Sequence, residues 1–284
     1  MSSYRPGEVY IYTYPRGHYV NTIGKLGQYL GGECSDRAGN VYVATSTSDH
    51  VSTIYKFGHG DASPIATFAD QGQASGCAVD PSTGDLAVSN LQDDSSNNPY
   101  PGNGDVAVFP RARGNPSMYY TSAYRGFYFC GYDNGGNLYL SASEDYHSGE
   151  SFLVRLKSDS GSFEPINVDA TIYGEASVQW DGAHIAISSY TNVDERGSVI
   201  IDRLAISGRS ATVLGTTTLH SAAGHHKGQL WIAKDRVVGI DHYHGDANVS
   251  IWPYPLGGAS RHTISHVGSD DDRDLWGVTV SVAH

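Results

Sequence analysis

Residues 32–45 read GECSDRAGNVYVAT: a short apolar strand, a turn from Asp36 to Asn40, and an alternating strand from Val41 to Ala44. Other stretches repeat this unit. Asp36 is followed 44 residues on by Asp80 in GCAVDPSTGDLAVS, after another 53 by Asp133 in CGYDNGGNLYLSA, and after another 48 by Asp181 in VQWDGAHIAISS. A fifth copy, AAGHHKGQLWIA, places His225 in the turn slot, 44 residues beyond Asp181.

Repeats of about 40 to 50 residues, with several strands in each, are the pattern of a β-propeller, whose blades bury their apolar faces only against one another. The chain opens on EVYIYTY (Glu8 to Tyr14) and YVNTI (Tyr19 to Ile23), which look like the outer half of a blade. They match STIYKF (Ser52 to Phe57) and PIATF (Pro64 to Phe68), which come after the first full inner pair. The missing inner strand is LWGVTVSV, Leu275 to Val282. The expectation is therefore an all-β, six-bladed β-propeller, residues 1–284 forming a single domain, with the ring closed by N-terminal outer strands pairing with the C-terminal inner strand.

Composition agrees, with 34 Gly and 20 Tyr against 2 Met in 284 residues. A formal charge of −12, from 18 basic and 30 acidic residues, argues against a phosphate-binding surface, so no nucleic acid is expected as a partner. No apolar run approaches the roughly 20 residues of a membrane span, so no membrane insertion is expected. The chain reads as an extracytoplasmic (secreted or periplasmic) monomer with its signal absent. Three cysteines give no zinc spacing. Cys77 and Cys130 hold equivalent points of adjacent inner strands, whereas Cys34 is one position off and should face the other way. The expectation for all three is a buried free thiol.

The second unit carries an insertion, LQDDSSNNPYPGNG (Leu91 to Gly104), which reads as a surface loop, either ornament or part of a ligand mouth. With EDYHSGE (Glu144 to Glu150) and YTNVDERG (Tyr190 to Gly197) it should bring Asp93, Asp94, Glu144, Asp145, Asp194 and Glu195 to one acidic face. The fifth unit holds an extra segment, VVGIDHYHGD, beyond Leu230 to Ala233.

The inner strand followed by D-x-x-G-N-[VL]-Y-[VL], as at Asp36 to Val43 and Asp133 to Leu140, with a later strand ending in [KR]-[FL], resembles NHL-type repeats. Six-bladed relatives of that type include the metal-dependent lactonases and esterases of the regucalcin/gluconolactonase kind. GEASVQWD (Gly174 to Asp181) and Gly32 to Asp36 resemble their ligand-Glu motif, with one residue more in GEASVQWD and no proline. The resemblance implies either a binding or interaction module or a hydrolase of lactones or esters with a cation in the central channel.

Nucleophile elbows, phosphate loops and H-E-x-x-H are absent from the sequence. GYDNGGN (Gly131 to Asn137) has no helix to receive a phosphate and reads as a hairpin turn. Residues at the starts of inner strands surround a propeller's channel, which makes Glu33, Glu175, His220 and Asp274 candidate ligands, with Ser75 and Phe129 in the remaining units. Such a ring suits Ca²⁺ or Mg²⁺, and its His admits Mn²⁺ or Zn²⁺. His242 and His244, two apart on a strand, form a secondary metal candidate. No catalytic residue is assigned, and the ligand, a small molecule or a protein, is left open.

Overall fold

The computed structural model describes residues 1–3, 7–24, 26–145, 148–157, 159–191, 198–220, 228–243, 246–268 and 275–282; regular structure within them is almost entirely strand. Sheet A contains β1 (Ser2–Ser3), β2 (Val9–Tyr12) and β3 (Tyr19–Ile23). Sheet B is the meander β4 (Tyr29–Ser35), β5 (Val41–Ser46), β6 (Ser52–Phe57) and β7 (Pro64–Asp70). Sheet C repeats it with β8 (Ala74–Val79), β9 (Leu86–Asn90), β10 (Asp105–Phe109) and β11 (Ser117–Tyr120).

Next come two four-strand runs that share one ten-stranded sheet. Run D holds β12 (Gly126–Tyr132), β13 (Leu138–Ser143), β14 (Glu150–Leu156) and β15 (Phe163–Val168), with the short β16 (Ile172–Tyr173) on β14. Run E holds β17 (Val178–Trp180), β18 (Ile185–Tyr190), β19 (Val199–Ser207) and β20 (Ser210–His220). A parallel contact of β15 with β20 joins the runs. Sheet F contains β21 (Leu230–Ala233), β22 (Arg236–Tyr243), β23 (Asp246–Pro253) and β25 (His262–Ile264), while β24 (Gly258–Ala259) pairs with β20. Finally β26 (Leu275–Gly277) joins sheet A, whose order is β26-β1-β2-β3.

The repeated aspartate builds the turn after the inner strands β4, β8, β12 and β17. Asp36 Oδ1 accepts the N–H groups of Ala38 and Asn40 at 3.0 and 2.9 Å, and Asp133 Oδ1 those of Gly135 and Asn137 at 2.8 and 2.9 Å. Asp80 and Asp181 do the same for Ser82 and for Ala183 with His184. A short carboxylate folded onto its own backbone is an Asx turn, which is why Asp recurs there.

Successive side chains on a strand point to opposite faces, so each sheet can bury one face on the sheet before it and one on the sheet after. Six buried clusters among the described residues sort in this way. Cys34, Tyr42 and Phe68 of sheet B meet Cys77, Val88 and Phe109 of sheet C. Further clusters join C to D, D to E, and E to F. Val249 and Ile251 of sheet F meet Tyr10 and Leu275 of sheet A, and Val9 and Ile23 of sheet A meet Val43 and Phe57 of sheet B.

Several expectations change. In the fifth unit Leu230–Ala233 is the first strand of its sheet, and the turn slot belongs to Lys234 and Asp235. The supposed extra segment is no insertion: it begins within β22 and ends on Asp246, the first residue of β23. The strand expected over 275–282 is regular only from Leu275 to Gly277, and β1 lies between it and β2. Cys34 and Cys77 are not free thiols but form a disulfide, with Cα atoms 5.6 Å apart. Cys130 is free and buried, and burial pushes its thiol up to about 12.

Candidate functional site

The inner strands run against one another backbone to backbone. A methyl group on Gly32 would lie 2.9 Å from the Ser75 carbonyl oxygen, one on Gly76 2.9 Å from that of Tyr128, and one on Gly131 2.5 Å from that of Val178. The rings of Phe129 and Trp276 come within 6.0 Å, centroid to centroid. Gln229, one residue before β21, binds Glu33 twice: its Oε1 accepts the Glu33 N–H at 2.8 Å and its Nε2 donates to the Glu33 carbonyl at 2.7 Å. The same Oε1 accepts the N–H of Val278 at 3.2 Å. One buried amide thus ties sheet B, sheet F and the C-terminal segment together.

The register of β4 against β5 shifts between Leu30 and Glu33. The Glu33 carboxylate is 1% exposed, lies 3.1 Å from the Met1 ammonium, and forms part of the wall of a cavity of about 950 Å³. Sheet A supplies Tyr10, Ile11 and Tyr12, sheet B Val43 and Phe57, and sheet F Trp231 to that wall. The charged residues Asp61, Lys234, Asp235 and Arg236 also line it. It opens between the cluster that joins sheets F and A and the one that joins sheets A and B. Its volume falls within the range of small-molecule pockets, about 300 to 1,000 Å³, and its lining is mostly apolar and aromatic, as such pockets are.

Glu175 and His220 lie elsewhere. Glu175 is half-buried in a separate small crevice with Tyr173, Ser188 and Leu230. His220 ends the outer strand β20 and is exposed; its carbonyl accepts the Trp252 indole N–H at 3.1 Å. Asp274 and His244 lie outside the described residues, as do Asp194 and Glu195. His242 falls in β22. Ser75 and Phe129 are buried in β8 and β12. Among the described residues no three His, Cys, Asp or Glu side chains gather as metal ligands do. Of the acidic loop residues, Asp94, Glu144 and Asp145 are exposed, whereas Asp93 is turned fully inward. Sequence reasoning missed Gln229 and Trp231; their signal is the QLW run, which the repeat alignment places one strand late.

No family model and no curated protein matches the chain. Solved structures do. A nidogen/laminin complex contains a chain with a TM-score of 0.67 at 12% identity, covering 99% of this chain and 97% of that one. A functionally unknown protein from Desulfotomaculum acetoxidans gives 0.56 at 7% identity, with 98% and 96% covered. Kuenenia stuttgartiensis hydrazine synthase gives 0.54 at 14%, with 86% and 70% covered. At these identities the likeness establishes the fold alone, a nearly all-β arrangement of the propeller type.

Proposed function

We propose that the chain is a six-bladed, NHL-like β-propeller acting as a binding module outside the cytoplasm, and that it takes a small, mostly apolar, neutral or cationic ligand in the cavity beside sheet A. The observation that carries the reading is that cavity: about 950 Å³, walled by Tyr10, Tyr12, Phe57 and Trp231, with the Glu33 carboxylate at its wall. The net charge of −12 disfavours an anionic guest, while at the wall the Glu33 carboxylate is paired with the Met1 ammonium. Six blades are supported by six buried clusters, each between consecutive four-strand runs, the last joining sheet A to sheet B. Closure of the ring through β26 and β1 is supported by their pairing. The Cys34–Cys77 disulfide supports an oxidising compartment.

The lactone- or ester-cleaving alternative needs a channel cation, and among the described residues Glu33 and Glu175 do not share one site. Glu33 and Glu175 line different cavities, so no step through a metal is derived. The test is titration with a neutral solvatochromic dye and its sulfonated analogue, read by dye and Trp231 fluorescence. The neutral dye should bind, the sulfonate at least about tenfold more weakly, and Ile11→Trp, which narrows the cavity, should weaken the neutral dye by a similar factor. Equal binding by the variant would overturn the assignment. Chelator-sensitive turnover of an aryl-ester or lactone panel would favour the hydrolase.

A further inference from the structure

Four polar side chains meet in the interior where sheets B and C adjoin: Asp70 at the end of β7, Asn90 at the end of β9, Asp93 in the following loop and Asp105 at the start of β10. None is more than 1% exposed. Asn90 Nδ2 donates to Asp70 Oδ2 at 3.1 Å and to Asp105 Oδ1 at 2.5 Å. Asp93 Oδ1 accepts the Ser95 N–H at 2.7 Å. Three oxygens of the cluster, Asn90 Oδ1, Asp93 Oδ2 and Asp105 Oδ2, are buried and receive no N–H or O–H donor, and the Asp93 and Asp105 carboxyl groups act directly on each other. Two buried acceptor oxygens without a donor are satisfied together when one proton lies between them.

Among the described residues the surroundings offer no cation in its place. Asp70 faces the pair from β7, and Tyr120 stands opposite Asp105 on β11. The His50 imidazole is bound to the exposed Asp94 at 2.8 Å, and Arg125 donates to Asn103 Oδ1 at 3.1 Å. Burial first, then the bond to Asp93 and the charge of Asp70, pushes the Asp105 carboxyl up to about 9. Burial brings Asp70 up to about 6, and burial with the three carboxyls raises Tyr120 to about 12.

Asp93 is also the hub of the 91–104 loop. Its N–H donates to the Asn103 carbonyl at 3.0 Å, and its carbonyl accepts the Gly102 N–H at 3.1 Å and the Asn98 side-chain amide at 3.0 Å. Asp105, by contrast, is fixed in a strand whose next four residues pair with β9. We propose that Asp93 and Asp105 share a single proton, and that this proton is the catch holding the 91–104 loop against the sheet. When it leaves to solvent at alkaline pH, two like charges face each other across a dry contact beside a third, Asp70, and the loop is the partner free to move.

The experiment uses the intact protein. At neutral pH its infrared spectrum should contain the C=O stretch of a buried protonated carboxyl, which is lost in Asp105→Asn and on titration above about 9. Proteolytic nicking within residues 94–103, taken as the ratio of wild type to Asp105→Asn at each pH, should rise about tenfold per pH unit from neutral pH to about 9, where the shut pair holds the proton and the open one does not, and level off above it. Asparagine keeps a donor toward Asp93, so the variant loop should stay shut; Asp93→Asn is the mirror-image control and should behave alike. Absence of the band, or an unchanging ratio across that range, overturns the proposal. So does added Ca²⁺ that removes the band and slows nicking at neutral pH, since the pair would then hold a metal ion.

Discussion

Asp181 illustrates how one side chain reports on both the repeat and its neighbours. Burial pushes its carboxyl up, but the N–H groups of His184 and Ala183 and the Tyr254 hydroxyl, at 2.8 Å, outweigh that and hold it below the usual value. A lowered carboxyl stabilises the fold above its unfolded value, and that stability is lost as pH falls through the folded one. Tyr254→Phe should therefore cost about 1.5–3 kcal/mol at neutral pH and move the acid limb of the stability curve to higher pH, as chemical melts across the acid range would measure. Asp70 and Asp105 have the opposite sign. Their contribution is fully present below the unfolded aspartate value and is lost as pH rises through about 6 and about 9. Wild type should thus lose stability over that interval, and Asp105→Asn should flatten the upper part of the decline.

The turns are the most legible elements, because an Asx turn needs a particular side chain at a fixed place and so repeats visibly. The fifth copy misaligns for the same reason: its hairpin needs only Lys234 and Asp235, too short for the D-x-x-G-N pattern. The disulfide is legible in principle. Cys34 does face away from the direction of Cys77 within its own sheet, but facing sheets present opposite faces to each other, so the offset joins them. Closing a loop of this span, 43 residues, contributes about 4 kcal/mol, and Cys34→Ala with Cys77→Ala should lower stability by about that amount in a denaturant melt. The cavity is not legible, since it arises from how three sheets fail to fill the space between them. Gly76→Ala tests the close inner-strand contact, where the added methyl meets a backbone oxygen at 2.9 Å; overpacking there should cost about 1–3 kcal/mol.

At the scale of the molecule, sheet A is where the start and end of the chain meet. Residues 275–282 place Leu275, Val278 and Val280 in the cluster shared with sheet F. Besides the bonds to Gln229 and β1, they are tied to sheet B, from Ser35 Oγ to the Val280 carbonyl at 2.9 Å and from Ser281 Oγ to that of Gly39 at 2.5 Å. Deleting the residues after Asp274 removes three buried side chains worth roughly 5 to 8 kcal/mol together, comparable with the whole stability of many domains. The truncated chain should show no cooperative thermal transition by circular dichroism. The disulfide has a further, mechanical consequence. A molecule pulled from residues 1 and 284 loads the β1–β26 pair first, and the covalent link between β4 and β8 keeps 43 residues from extending. Its fully stretched contour should be shorter by roughly 150 Å under oxidising conditions than after reduction, a step that single-molecule force spectroscopy resolves.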